Sequence, residues 1–378
     1  MFQSFRDALF DELVSIKSSV YKLLLLTLLP LFSFFLLVAI FYDGVLENIA
    51  VVVVDNDKSS LSRRVIHAID DTKTLDVKYR VDDTHQALNL IKDAQAYAVI
   101  VIPKNFYTDV MLHKQPIVSA LVNTQYILVG KIITAALNSA VLSSAGEVEF
   151  VQHLAEVMQP SQSIALISPV GMQITPLFNT YQNYFYFLVS ALLPALWQIF
   201  IVVATVVCFG EIIKAKKEKE YFHTDTFVKI LGRVAPYTFA YFLLACVYLF
   251  YIYGVKGWAF EGSMSIVLFG AFLTVVAYQG IALLFLVSGF DYARALSLGA
   301  VYSAPAFAFL GVTFPLNNMN FFAQFWREML PISHFVELQI SQANYGVNIW
   351  QDVEKLGAIS LFLLSFFVVY LRFKQRVK

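Results

Sequence analysis

Charged residues are scarce in this chain and cysteine is almost absent. Asp, Glu, Lys and Arg make up 14% of the 378 residues, well below the quarter or so that is typical of a soluble globular protein. The charges balance to a formal net charge of zero, so no overall field favours nucleic acid as a partner. The two cysteines, Cys208 and Cys246, both fall in apolar stretches, which leaves the polar part of the chain without a disulfide framework.

Motifs for catalysis and for energy supply are also missing. The six histidines are scattered, with no pair four residues apart on a helix face, so the sequence predicts no zinc site. It contains neither a G-x-S-x-G nucleophile elbow nor the G-x-x-x-x-G-K-[ST] loop that binds ATP phosphates. Asp55 and Asp57, in VDNDKSS, could clamp a metal or phosphate, but a strand end with an Asx turn and a helix cap explains them better. We therefore expect no catalytic residues, metal or cofactor.

Apolar sequence, in contrast, is abundant. Hydrophobic residues make up 58% of the chain, and six apolar blocks come close to or exceed the roughly 20 residues that a helix needs to cross a bilayer core. These blocks are Tyr21–Tyr42, Tyr184–Phe209, Pro236–Gly254, Ser263–Ser288, Ala295–Thr313 and Leu356–Leu371. The pattern predicts an α-helical polytopic membrane protein with six spans. The first, 21–42, is too long for a cleavable signal and should remain as an anchor.

Lysine and arginine near the span ends predict the orientation. The loop 210–235 and the tail 372–378 are rich in both, whereas the short connections at the opposite face carry few. Because positive residues stay on the cytoplasmic side of a membrane, we expect both termini inside the cell. Residues 43–180 are then expected outside it.

Residues 1–20 show helical periodicity. Their apolar residues recur at steps of three and four: Phe2, Phe5, Leu9, Leu13, Ile16 and Val20. Their charged residues fall on the other face: Arg6, Asp7, Asp11, Glu12 and Lys17. The pattern predicts an amphipathic helix that lies on the cytoplasmic membrane surface or packs on a partner protein.

Residues 43–180 alternate between strand and helix patterns. The predicted strands are Ile49–Asp55, Leu75–Val81, Tyr97–Ile102 and Ile117–Asn123. The predicted helices begin at Ser59 or Ser60, at Asp82–Asp83, near Phe106 and at about Tyr126. The last of these helices runs toward Val157, and an extended segment, Ile164–Phe178, follows it. Strands separated by helices imply a mainly parallel sheet. We expect an extracytoplasmic α/β domain inserted after the first span.

The predicted spans carry no ionisable side chain near a midpoint. Such groups are costly in the bilayer and usually functional, so their absence argues against a proton-driven carrier. If the chain moves a solute, the energy must come from a separate subunit. Gln198 and Gln279 could face a pathway or hydrogen-bond across helices. Gly299 and Ser303 belong to a repeat of small residues every four positions, which predicts close helix packing or a subunit interface.

Residues 314–350 lie between the fifth and sixth predicted spans. Phe314, Pro315 and Pro331 belong to this segment, which mixes aromatic and polar residues. It is too polar to cross a membrane, so two short re-entrant helices in the outer leaflet fit best.

Three sets of motifs resemble the permease subunit of type-2 ATP-binding-cassette (ABC) exporters, in the branch with a large outer domain between the first and second spans. They are FP-x-x-x-M with LPISHF at Phe314–Met319 and Leu330–Phe335, ILGRVAPY at Ile230–Tyr237, and VVVDND followed by AYAVIVIPKNF at Ala96–Phe106. The resemblance covers essentially the whole chain.

The resemblance implies an ATP-driven efflux permease of the bacterial inner membrane that exports drug-like or lipidic amphiphiles. Its partners would be an ABC ATPase subunit, a second permease subunit (the same chain or a sister chain) and, outside, a periplasmic adaptor with an outer-membrane channel. The positions that would contact the ATPase are Phe5, Leu9, Glu211, Lys217, Glu218 and Glu220. The loop containing the last four could instead be a solvated basic anchor.

A rival interpretation is a non-transporting envelope scaffold, or a sensor whose outer α/β domain binds a ligand. A neighbouring gene for an ABC ATPase would favour the exporter.

Overall fold

The computed structural model describes residues 1–42, 44, 46–112, 114, 116–125, 129–141, 183, 185–312, 316 and 319–377. The chain divides into two compact units. The helical unit comprises Met1–Gly44 and Leu177–Lys378, and the sheet unit comprises Val45–Pro176.

Five helices among the described residues are long and apolar enough to cross a membrane. They overlap five of the six predicted spans. They are Val20–Ile40 (α2), Phe185–Lys214 (α7), Thr226–Val255 (α9), Met264–Val287 (α10) and Ile349–Val377. The last consists of Ile349–Leu361 (α15) and Leu364–Val377 (α16), joined by a turn.

The predicted span Ala295–Thr313 is not one continuous helix. Its place is taken by Tyr292–Ser303 (α11) and Ala306–Phe309 (α12). Pro305, between them, has no N–H to continue the helical hydrogen bonds. A helix of 12 residues reaches only about 18 Å, short of a bilayer core about 30 Å thick. In its described part the chain therefore has five candidate spans rather than six.

The amino-terminal helix, Phe2–Ser18 (α1), packs against α9 through a face whose buried residues include only Ile16 of the predicted apolar stripe. Its buried residues are Ala8, Glu12 and Ile16, whereas Phe2 is 82% exposed. A Cβ added at Gly232 of α9 would lie 2.6 Å from the Phe5 carbonyl oxygen. The two backbones approach this closely because Gly232 has no side chain.

The described part of the helical unit also contains three short α-helices, the last of them followed by a π-helical turn, Ser341–Tyr345. They are Glu218–Tyr221 (α8), Phe321–Glu328 (α13) and Pro331–Ile340 (α14). The last two lie in the segment for which two short helices were predicted. Pro331 is the first residue of α14, where a missing N–H costs no helical hydrogen bond.

The sheet unit contains a four-stranded mixed sheet. Its strands are Ile49–Asp55 (β1), Leu75–Val81 (β2), Ala98–Ile102 (β3) and Ser119–Val122 (β4), each within a predicted strand. The order is β2-β1-β3-β4. β1 runs parallel to β2 and β3, and β4 is antiparallel to β3.

Both faces of β1 are covered, which explains its unbroken run of valines. Val51 and Val53 belong to the core that includes residues of the helix Ser60–Asp70 (α3), and Val52 and Val54 belong to the opposite core. The other helices in the described part of this unit are Thr84–Lys92 (α4), Phe106–Met111 (α5) and Val129–Val141 (α6). The remainder of the predicted helix 126–157 and the extended segment 164–178 lie outside the described residues.

Asp55 and Asp57 form a turn after β1. Asp55 Oδ1 accepts hydrogen bonds from the backbone N–H groups of Asp57 and Lys58, and its Oδ2 accepts one from the Ser62 hydroxyl. Asp57 Oδ2 accepts one from the Tyr107 N–H at 3.0 Å. Asp55 therefore forms the predicted Asx turn, and Asp57 connects this turn to the start of α5. Within the described ranges, no group of three His, Cys, Asp or Glu side chains is placed to hold a metal.

Candidate functional site

Four charged side chains from four different helices meet at one end of the helical unit. We call Glu12 of α1, Lys22 of α2, Glu211 of α7 and Arg233 of α9 the ion cluster. The side chains of Glu12 and Lys22 are fully buried and that of Arg233 nearly so, whereas that of Glu211 is 47% exposed. The cluster thus extends from the protein interior to its surface.

Lys22 uses all three of its N–H donors within the protein. Its Nζ lies 2.8 Å from Glu12 Oε1, 2.6 Å from Glu211 Oε2 and 2.7 Å from Ser15 Oγ. It thereby ties the start of α2 to both α1 and the end of α7.

Glu12 and Arg233 form the second half of the cluster. The Tyr237 hydroxyl donates to Glu12 Oε1 at 2.7 Å. Arg233 Nη2 lies 2.6 Å from Glu12 Oε2, an ion pair by distance although the oxygen lacks an aligned hydrogen bond. Arg233 also donates to the Cys208 carbonyl at 3.0 Å through Nη2 and 3.3 Å through Nε. Two carboxylates balance two cations, so removing any one of the four side chains would leave a buried charge incompletely compensated.

Sequence reasoning missed three members of the cluster. Glu12 was predicted on the exposed face of α1, because the larger apolar residues marked the opposite stripe. Arg233 counted only as one of the basic residues of the loop 210–235, and Lys22, at the start of the first predicted span, was not singled out. The available signal was weak: Ala8, Glu12 and Ile16 share one helical face, but Tyr237, which donates to Glu12, lies 225 residues away in sequence.

The predicted ATPase-contacting residues separate into buried and exposed groups. Glu211 belongs to the ion cluster, and Phe5 and Leu9 are half-buried on α1. Glu218 is 6% exposed, and Arg376 Nη2 lies 3.4 Å from its Oε1. Lys217 and Glu220 are exposed.

A second site, the polar core, is centred on the buried Tyr278 of α10, which sequence reasoning also missed. The Tyr278 hydroxyl donates to Gln198 Oε1 and accepts from the Ile332 N–H at 3.2 Å. Gln198 Nε2 donates to the Ser303 carbonyl at 3.3 Å. The polar core thus joins α7, α10, α11 and α14, and brings together the predicted residues Gln198 and Ser303 with Ile332, the neighbour of Pro331.

Gly299 and Gln279 lie outside the polar core. A Cβ at Gly299 would lie 2.7 Å from Val202 Cγ1, so α11 and α7 pack closely there. Gln279 faces α9, where the Thr238 hydroxyl donates to its Oε1 at 2.8 Å and its Nε2 reaches the Val234 carbonyl at 3.5 Å. Phe314 and Pro315, the remaining predicted site residues, lie outside the described residues.

Tyr241 joins three candidate spans through its polar atoms. Its hydroxyl lies 3.1 Å from the Leu25 carbonyl of α2 and 3.0 Å from the Phe200 carbonyl of α7. Trp197 Nε1 donates to the Tyr241 carbonyl at 3.0 Å. Leu25 lies in a π-helical turn, Leu24–Leu28, a local irregularity often found at functional positions.

The family model described as "ABC-2 family transporter protein" matches residues 21–373. No curated protein matches the sequence. The match begins in α2 and ends in α16, and so takes in all five candidate spans. The chain belongs to the ABC-2 transporter family and is a membrane-spanning permease subunit of an ABC transporter.

Proposed function

We propose that this chain is the permease half of an ATP-driven exporter, and that the ion cluster transmits movement from a separate ABC ATPase to the spans. One observation carries this proposal: Glu12, Lys22, Glu211 and Arg233 connect α1 to three spans within a few ångströms. The segments that flank the cluster, α1 and the loop around α8, are those that the resemblance assigns to ATPase contact.

Contacts at this end of the helical unit support a common docking face. Ser4 Oγ donates to Asp225 at 2.6 Å, which connects α1 to the loop after α8. Phe222 packs on Phe373 with ring centroids 4.5 Å apart, which connects that loop to α16. The same end carries many lysines and arginines, so the positive-inside rule favours the cytoplasm.

The ion cluster suits transmission because its charges compensate one another. Separating a buried pair leaves an uncompensated charge, at a cost of about 3–5 kcal/mol. A displacement of α1 is therefore expected to carry the attached ends of α2, α7 and α9 with it. In this proposal the ends of α2, α7 and α9 that meet at the ion cluster move together, and the helices repack against one another further along their length.

The polar core is the place where we expect repacking along the cargo pathway. Gln198, Tyr278 and Ser303 are buried and uncharged, so they can exchange hydrogen bonds between helices without exposing an ion to lipid. A neutral or amphiphilic cargo, drug-like or lipidic, fits such surroundings. A second permease subunit would complete the pathway.

The topology that we propose places both termini in the bacterial cytoplasm and residues 43–180 outside. In this arrangement residues 295–313 complete a sixth crossing as a broken helix, residues 314–350 form the re-entrant segment, and the outer domain meets a periplasmic adaptor. The dominance of short basic segments at one end of the helical unit supports this orientation.

Co-purification and reconstitution test the proposal. The chain, expressed with the ABC ATPase encoded nearest to its gene, should retain that ATPase and show ATP-dependent transport of amphiphilic dyes in vesicles. Recovery without any ATPase, or transport that persists when hydrolysis is blocked, would contradict it.

A further inference from the structure

A groove of about 720 Å³ lies between the segment around Phe227 and the carboxyl-terminal helix α16. Its volume lies within the range of small-molecule sites, about 300–1,000 Å³. Phe227, Phe367, Tyr370 and Lys374 contribute to its walls. None of these side chains belongs to the ion cluster or the polar core; the groove borders the proposed docking face through Phe222 and Asp225, which also line it.

The α16 wall of the groove changes from apolar to cationic along its length. Phe367, Tyr370 and Lys374 follow one another at steps of three and four and therefore share one helical face. Phe367 is 61% exposed, and Lys374 lies about 10 Å further along the helix axis. An adjacent face of α16 packs into the core through Phe366, Val369 and Phe373.

Lys374 is available for an external anion. None of the described carboxylates lies within ion-pair distance of its Nζ, which is 5.6 Å from the centre of the Tyr370 ring. Asp225 also lines the groove, but its carboxylate is already compensated. The hydrogen bond from Ser4, together with the amino-terminal ammonium, holds the pKa of Asp225 below its ordinary value.

We propose that this groove binds an anionic phospholipid, with the phosphate at Lys374 and the acyl chains along Tyr370, Phe367 and Phe227. The order of polarity along α16 matches that of a lipid, and acyl chains would cover aromatic surface that is otherwise exposed. Basic residues clustered at the end of a membrane helix attract anionic lipid. Here they are Arg372, Lys374, Arg376 and Lys378. This inference goes beyond the export function and is independent of the cargo.

Native mass spectrometry of the purified full-length chain tests it. Titration with phosphatidylglycerol should give tighter binding than titration with phosphatidylcholine. Lys374→Gln should weaken phosphatidylglycerol binding about fivefold, the effect of one lysine at an anionic surface. Arg372→Gln is the matched control, since this exposed residue of the same helix does not line the groove; its loss should be under twofold. Phe367→Ser should weaken binding of both lipids.

Three results would overturn the inference. The first is equal affinity of the wild-type chain for the two lipids, and the second is an equal loss in Lys374→Gln and Arg372→Gln, which indicates diffuse attraction without a site. The third is loss of ATPase binding or of self-association in Lys374→Gln while phosphatidylglycerol binding is unchanged, which would assign the groove to a protein partner. Circular dichroism and thermal unfolding establish that each variant is folded.

Discussion

Lys22 Nζ lies 2.8 Å from Glu12 Oε1, and neither side chain is exposed to solvent. The pair joins two helices that are separated in sequence by only one residue, Ser19. Their mutual orientation is therefore fixed by a contact between ions and not by the connection alone. Because Glu12 also meets Arg233 and Tyr237, one carboxylate determines how α1 sits on α9.

Replacing Glu12 with alanine should destabilise the protein by about 3–5 kcal/mol, because Lys22 and Arg233 would lose a buried counter-ion. Unfolding of the detergent-solubilised chain measures the change. Asp7→Asn is the control: Asp7 forms only an exposed pair with Arg6 at 3.8 Å, worth about 0–1 kcal/mol. Similar losses in the two variants would show that the ion cluster contributes little.

Gly232→Ala should separate ATP hydrolysis from transport. The added methyl group would meet the Phe5 carbonyl and push α1 away from α9. In the reconstituted complex we expect hydrolysis to continue while transport falls at least fivefold. Gly357→Ala adds the same group to a helix where nothing lies within 4 Å, and should leave both rates unchanged. Full transport by Gly232→Ala would exclude α1 from coupling.

Tyr278→Phe should cost about 1–3 kcal/mol of stability, because the buried Ile332 N–H and the Gln198 side chain each lose a partner. If the polar core lies on the cargo pathway, transport should fall by more than the loss of folded protein explains. Tyr302→Phe removes a hydroxyl that, among the described residues, donates only to the Met329 carbonyl, and should have the smaller effect. If Tyr278→Phe and the wild-type chain transport equally at equal amounts of folded protein, the polar core does not lie on the pathway.

Glu218 and Glu220 provide a matched pair on the four-residue helix α8. Glu218 is buried beside Arg376, whereas Glu220 is exposed. If exposed residues of this helix contact the ATPase, Glu220→Gln should weaken ATPase co-purification without changing thermal unfolding. Glu218→Gln should instead lower the unfolding temperature. The opposite assignment of effects would mean that α8 does not present Glu220 to the ATPase.

Labelling of introduced cysteines tests the orientation. Arg64→Cys, exposed on α3, should react with a membrane-impermeant maleimide on intact spheroplasts. Lys219→Cys, exposed on α8, should react only after the membrane is opened. The wild-type chain, whose Cys208 is buried and Cys246 only partly accessible, provides the background. Labelling of Lys219→Cys on intact spheroplasts would show that the true orientation is the opposite of the proposed one.

Local patterns were sufficient to predict the four strands of the sheet and most of the candidate spans. The valines of β1 and the capping Ser59 of α3 act through neighbours close in sequence, and the structure has both where they were expected. The break at Pro305 was also visible as a local signal, but the apolar residues around it outweighed it in the prediction of a continuous span.

Contacts between distant segments could not be predicted in the same way. Nothing near Glu12 in the sequence indicates that Arg233 and Tyr237 will cover it. Tyr278 likewise looks like any aromatic residue in an apolar helix until Gln198 and Ile332 are placed beside it. The three-dimensional arrangement of the helices determines these partners.

The ion cluster has a consequence for biosynthesis. Glu211 follows Lys22 by 189 residues, which at ordinary rates of translation is a delay of roughly 10–40 s. During that interval the lysine at the start of the first anchor has only part of its final set of counter-charges. The amino-terminal segment can therefore reach its final position only after the chain has emerged from the ribosome beyond Arg233, late in the assembly of the nascent protein.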